Sequence, residues 1–321
     1  HSFPTRRSSD LWVLDTQRIT IGAQNVFCPI LPAILVLLAN WPLRINQVIW
    51  LDSGEKDELI RDSVSRLFVR NPIGDPGRKM GALQPAVDTE VTEAGHQLDL
   101  LIALNKRPLG EAAEYTIPYV DDRTIWIIEQ VLAWQKQYGH PPQLVKQADA
   151  PYDNDIAQDD EARLRMPSLC PLFRHPEHRG HFPPSYLRMK TFWKVVCVAY
   201  DDRNTNWKNP KTGHIEARKG WPRLSRERKE ESPQLRRAKG GAVMRVQKIE
   251  RLDYRYDLYS LKVGGVSHLL DRGIPLAIIS AMAGHKTLSM TLRYFVLDRT
   301  EVRKKLSELA LSNPNLTMRP T

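Results

Sequence analysis

Cysteine is scarce in this chain. Only Cys28, Cys170 and Cys197 occur among 321 residues, widely spaced and odd in number. That pattern excludes a disulfide framework and suits a reducing, cytoplasmic setting. Long apolar runs are missing as well. The longest, VFCPILPAILVLLA, carries two prolines and is too short to span a bilayer, so it predicts a core helix and no membrane partner. The first residues are basic and polar, and no secretory signal peptide is visible in them. Acidic residues are the minority charge: 37 Asp and Glu stand against 47 Lys and Arg, for a net charge of +10 and a pI near 9.5. Such an excess suits a polyanionic partner, most simply nucleic acid, and charge alone fits a merely basic soluble protein equally well. Apolar content of 41% and charged content of 26% are those of a globular chain.

Residues 1–11, HSFPTRRSSDL, read as the translation of a common short-read sequencing adapter, and there is no initiator Met. They are therefore set aside from fold reasoning, like a tag, and the natural protein is expected to continue upstream. Beyond them, PILPAILVLLAN (29–40) predicts a buried helix, and LRINQVIWL (43–51) a second helical or helix-to-strand segment. Residues 53–95, mixed and rich in Gly, Pro and charge, predict loops. LDLLIALNK (98–106) and EYTIPYV (114–120) predict a hairpin with a long connection. Residues 124–138 space Ile125, Ile128, Val131, Leu132 and Trp134 as an amphipathic helix ending at Gly139.

Residues 140–185 are proline-rich, 184–203 predict a helix, and 204–250 are dense in Lys and Arg. The last stretch is either a mobile basic loop or a surface that tracks a polyanion. CPLFRHPEHRGH brings Cys170, His175, His178 and His181 together in sequence. A zinc site would use such residues, but the paired-cysteine spacing is missing and two prolines interrupt the run, so a Pro-rich loop is the expectation and no metal is assigned. Further on, Ser260 is read as capping a helix that ends at Gly273. Pro275 opens a second helix ending at Gly284, and Thr287 caps a third. A charged helix is expected over 298–311.

The segment YSLKVGGVSHLLDRGIPLAIISAMAGHKTLSMTLRY resembles the C-terminal signature of the tyrosine recombinases, or phage integrases. Twenty-three positions separate Lys262 from His285, and nine separate His285 from Tyr294; both spacings fit that family. The resemblance extends to PILPAILVLLANWPLRINQVIWLDSGE, where Arg44 takes the place of the family's first arginine. It implies Tyr294 as nucleophile, His285 and Arg44 at the phosphate, and a hairpin lysine, best matched by Lys106 and less well by Lys79. Three positions depart from the family pattern. Lys262 stands where the family has its second arginine, Tyr259 where it has a histidine, and Gln47 where an acidic residue is common. Lysine keeps the charge but loses the two-pronged fork that matches a phosphate. Tyr259 can donate a hydrogen bond but cannot carry an imidazolium charge.

The implied fold is mainly helical with a small antiparallel sheet (α+β), divided as 12–139, an insertion over 140–250, and a C-terminal catalytic part over 251–321. From Arg44 to Lys262 is 218 positions, far beyond the family's usual interval. The implied activity is site-specific DNA cleavage and rejoining through a 3′-phosphotyrosyl intermediate, with no cofactor, metal or ATP. The implied partner is double-stranded DNA at attachment sites of a bacterial mobile element, bound by a homo-tetramer associated with the nucleoid. The competing expectation is a catalytically silent DNA-binding scaffold derived from the same fold. A metal nuclease using the 170–181 cluster is more remote.

Overall fold

In the computed structural model the described residues are 17–86, 98–104, 114–150, 167–176, 181–210, 212–217, 226–230, 235–237, 243–245, 250–254, 257–285 and 287–292. The chain enters through an antiparallel hairpin, β1 (Arg18–Ile21) and β2 (Gln24–Phe27), in which Ile19 faces Val26. It then forms α1 (Ile30–Asn40), the helix expected from the apolar run. Pro32 is tolerated because it lies in the first turn, where its missing N–H would have no intrahelical partner. Ile30, Leu31, Ala33, Ile34, Leu37 and Leu38 are all buried, so α1 runs through the middle of the core.

Two indole hydrogen bonds fix its neighbours. Trp41 Nε1 donates to Thr124 Oγ1 at 2.8 Å, and Trp134 Nε1 donates to the Phe27 carbonyl at 2.8 Å. Helix α3 (Asp122–Tyr138) supplies the acceptor of the first bond and the donor of the second, so it is strapped to the end of α1 and to the hairpin. Asp121 caps α3 by accepting from the Thr124 N–H at 2.9 Å. Buried Thr124, Ile127, Ile128, Val131, Trp134 and Gln135 follow the helical period that the sequence suggested. Between them in sequence lies the short helix α2 (Ile45–Ile49), which carries Arg44 at its start.

The expected hairpin is present. β6 (Leu98–Ile102) pairs antiparallel with β7 (Tyr115–Ile117), and β5 (Leu83–Pro85) lies on the other side of β6. Every residue of β6 is buried, as befits the central strand. Residues 53–95 are less loop-like than expected: besides β5 they contain β3 (Leu59–Arg61) paired with β4 (Phe68–Arg70). Three-residue strands are too short to display an alternation, so periodicity could not have found them.

Part of the Pro-rich stretch is built into the core. Leu169, Cys170, Leu172 and Phe173 are buried, and single β-bridges join Asp52 to Pro171 and Val145 to Leu169. Buried Arg174 holds the Glu55 carboxylate at 2.7 Å and donates to the His140 and Pro171 carbonyls. Opposite it, Arg78 bridges Asp52, at 2.5 Å, and Asp57. Burial pushes the Asp52 carboxyl above its usual range, against the opposing pull of Arg78. Removing one member of such a buried ionic set strands the others, so this clasp holds the 52–57 loop to the 168–174 segment.

α4 (Tyr186–Thr205) follows, near the predicted bounds. The basic region after it is not a loop throughout. Its backbone forms β8 (Trp207–Lys208) with β9 (Ile215–Glu216), β10 (Arg226–Glu230) with β13 (Glu250–Tyr254), and β11 (Leu235–Arg237) with β12 (Val243–Arg245), all antiparallel. The second of these pairs encloses the third, as two rungs of one long hairpin would. Strands with so few apolar residues leave no hydrophobic alternation to read.

The described residues of the C-terminal part form α5 (Leu258–Asp271), α6 (Leu276–Met282) and α7 (Leu288–Leu292). The cap of α5 is Asp257, not Ser260. Asp257 Oδ1 accepts from the Ser260 N–H at 3.0 Å, and Ser260 Oγ returns the contact to the Asp257 N–H at 3.2 Å. Pro275 precedes the first residue of α6. The 298–311 helix lies outside the described residues. The architecture is thus helices with small antiparallel sheets. Among the described residues no helix is long and apolar enough to cross a membrane.

Candidate active site

Arg44 sits at the turn between α1 and α2, in extended backbone conformation (φ −78°, ψ 149°). Its N–H donates to Gln47 Oε1 at 2.8 Å, while the Gln47 N–H donates to the Arg44 carbonyl at 2.9 Å. Gln47, the residue at the family's acidic position, is buried and so locks the Arg44 backbone from inside. Helix α5 packs on α1 beside this turn. A Cβ added at Gly265 would lie 3.5 Å from Pro42 Cα, an ordinary contact that marks how near the two backbones run.

Lys262, one turn before Gly265, is only 1% exposed. Tyr259, one turn earlier still, is 50% exposed. The helix therefore turns its lysine inward and its tyrosine outward. Burial depresses the Lys262 ammonium, and the nearby Arg44 charge depresses it further, to about 7.

His285 arrives from the other side. Helix α6 stops at Gly284, whose φ of 64° lies in the left-handed region where a Cβ is disfavoured. The chain turns there, and the His285 N–H closes back on the Ser280 carbonyl at 2.9 Å. The imidazole is 9% exposed, and its Nδ1 lies 2.9 Å from Thr291 Oγ1 on α7. Burial, then the charges of Lys262 and Arg44, lower its pKa to about 4. Arg44, Lys262 and His285 thus feel one another's charge although they come from three separated elements. At neutral pH this leaves His285 neutral and holds back the charge of Lys262. An arginine beside a buried lysine whose charge is suppressed gains most from an anion placed between them, because the anion favours the charged form of the lysine.

Lys106 and Tyr294 lie outside the described residues. Helix α7 is described as far as Leu292, and its Thr291 is tied to His285. Lys79 is exposed beside the half-buried Arg78. Thr291 and Tyr115 were not singled out from the sequence. Tyr115 Oη donates to the Met282 carbonyl at 3.1 Å and lies 3.4 Å from Gln47 Nε2.

The 170–181 residues are separately engaged. Burial raises the Cys170 thiol to about 11, so it stays protonated. His175 Nε2 lies 3.2 Å from Arg188 Nη2, and His181 Nδ1 lies 3.2 Å from the Pro141 carbonyl. His178 lies outside the described residues. Among the described residues no three His, Cys, Asp or Glu side chains gather as metal ligands.

Comparison with known proteins returns a family described as "Putative integrase" over residues 11–141, the segment holding α1, Arg44, Gln47 and the three-stranded sheet. No curated protein matches the chain significantly. Among solved structures, the Tn1549 transposon integrase in complex with transposon right end DNA superposes at a TM-score of 0.41 with 11% identity. The alignment covers 87% of this chain but only 58% of that one, and the likeness is too loose to place any residue. Over residues 11–141 the chain is thus similar to an integrase family.

Proposed function

We propose that this protein breaks and rejoins DNA at specific sites by a tyrosine mechanism, with Arg44, Lys262 and His285 around the scissile phosphate. The observation that supports this reading is that Lys262 and His285, chosen from sequence spacing, are both buried within reach of the charge of Arg44, chosen from the apolar pattern around it. The neutral amide of Gln47 leaves that positive field undiminished, which favours an anionic ligand such as a phosphodiester.

In the reaction Tyr294 Oη attacks phosphorus, its proton leaving to a nearby base. Neutral His285 suits that task, because a depressed pKa leaves its second nitrogen able to accept. Arg44 and protonated Lys262 hold the non-bridging oxygens as charge builds on them. The bond from phosphorus to the 5′ oxygen breaks, and Lys106 supplies the proton to that oxygen. A 3′-phosphotyrosyl enzyme results, and attack by a 5′ hydroxyl reverses the sequence, so no ATP or metal enters the scheme. Working assemblies would be tetramers on two duplexes. The 140–250 interval, apart from the core-bound 167–174 segment, is the candidate insertion, and its basic strands are candidate DNA contacts.

The second reading, a silent DNA-binding scaffold, draws on Lys262 and on the outward Tyr259. Covalent chemistry separates the two. Protein is incubated with nicked duplexes from the flanks of its encoding element and run on a denaturing gel. A protein–DNA band that disappears in Tyr294→Phe and strengthens tenfold or more in Lys262→Arg supports the recombinase, since restoring the fork restores bidentate contact. Salt-dependent DNA binding without a band from either the native protein or Lys262→Arg supports the scaffold.

A further inference from the structure

The last carbonyls of a helix have no intrahelical donor and must find partners elsewhere. In α6 one of them, Met282 O, is met from outside the C-terminal part: Tyr115 Oη, on the edge strand β7, donates to it at 3.1 Å. This contact spans 167 positions of sequence. It falls three residues before His285, immediately ahead of the left-handed turn at Gly284. A phenol has one proton. With that proton committed to Met282, the oxygen faces Gln47 Nε2, 3.4 Å away, as an acceptor. Gln47 then presents Oε1 to the Arg44 N–H at 2.8 Å. The amide suits this arrangement because it donates on one side and accepts on the other. The longer Gln47–Tyr115 link is the weaker of the three.

We propose that Tyr115 is a positioning residue: its hydroxyl ties the end of α6 to the Arg44 turn through Gln47, and so holds His285 in register with Arg44. The residue touches neither DNA nor the reacting atoms. It fixes the relative placement of two groups contributed by distant parts of the chain, and misplacement of such groups by about 1 Å can cost about a hundredfold in rate. This inference rests on the recombinase reading for its catalytic consequence but not for its structural one.

The test is Tyr115→Phe, which keeps the ring and its packing and removes both hydroxyl contacts. Tyr119→Phe, at an exposed tyrosine four residues on, is the control. Two readouts are taken on the full chain. Hydrogen exchange over peptides covering 280–287 should speed up at least tenfold in Tyr115→Phe and stay unchanged in Tyr119→Phe. The rate of covalent complex formation at saturating nicked duplex should fall at least tenfold, with DNA affinity within twofold of native. Unchanged exchange over 280–287 overturns the proposal whatever the enzyme does. Faster exchange with an unchanged covalent rate removes the catalytic role and leaves a structural tie. If native protein forms no covalent complex while exchange responds as expected, the recombinase reading fails and the tie stands.

Discussion

Lys262 is a buried amine whose protonation is suppressed in the fold, and replacing it with Met tests that directly. Methionine has nearly the same length and volume and no charge, so packing is largely retained. In the native protein the pKa falls from 10.5 when unfolded to about 7 when folded. A cation depressed by folding binds more protons in the unfolded chain throughout that interval. Stability must therefore rise with pH from about 7 towards 10.5, and the penalty is full below 7. Between pH 7 and 8.5 the predicted gain is about 1.5 kcal/mol, reading one pKa unit as about 1.4 kcal/mol. That window stops short of the cysteine titrations, where Cys170 begins to work in the opposite direction. Urea midpoints for native protein and Lys262→Met at the two pH values supply the difference. The expected result is a rise in the native protein and a flat response in the variant, with the variant the more stable at pH 7. An identical pH response in both would refute the burial argument. DNA binding supplies an independent check: a phosphate beside Lys262 favours its charged form, so binding at pH 8 should take up about one proton, measurable as a dependence of binding heat on buffer ionisation.

Thr291→Val should release the His285 ring without creating a cavity; ring nitrogen chemical shifts should change, and covalent complex formation should fall by about tenfold, with Thr291→Ser restoring both. Arg78→Met should cost about 3–5 kcal/mol in urea denaturation, because Asp52 and Asp57 would be left buried without their cation. Covalent complex formation should proceed undiminished after exhaustive chelation, and its loss would redirect attention to the histidines of the 170–181 stretch.

Much of the helical framework could be read from the chain because its determinants are local. The apolar run of α1, the spacing of Ile128, Val131 and Trp134 in α3, and the stops at Gly273 and Gly284 are written within a few residues of where they act. The interval between Lys262 and His285, and the apolar pattern around Arg44, are likewise legible in the string. Local reading failed in two places. Ser260 and Asp257 are both good caps by residue type, and the folded chain starts α5 at Asp257 with Ser260 as the reciprocal partner of its capping box. The strands between 207 and 254 carry too little apolar alternation to be seen.

What the sequence alone determined was therefore which residues to suspect and which segments would coil. Tertiary structure decided the rest. It turned Lys262 inward and Tyr259 outward on one helix, and set His285 against Thr291. It also joined Tyr115 to Met282 across the molecule and drew Leu169–Phe173 into the core through Arg78 and Arg174. The physical reason is the same in each case. Charge, desolvation and hydrogen bonding act over a few ångströms of space, and only folding brings residues so far apart in sequence within that range.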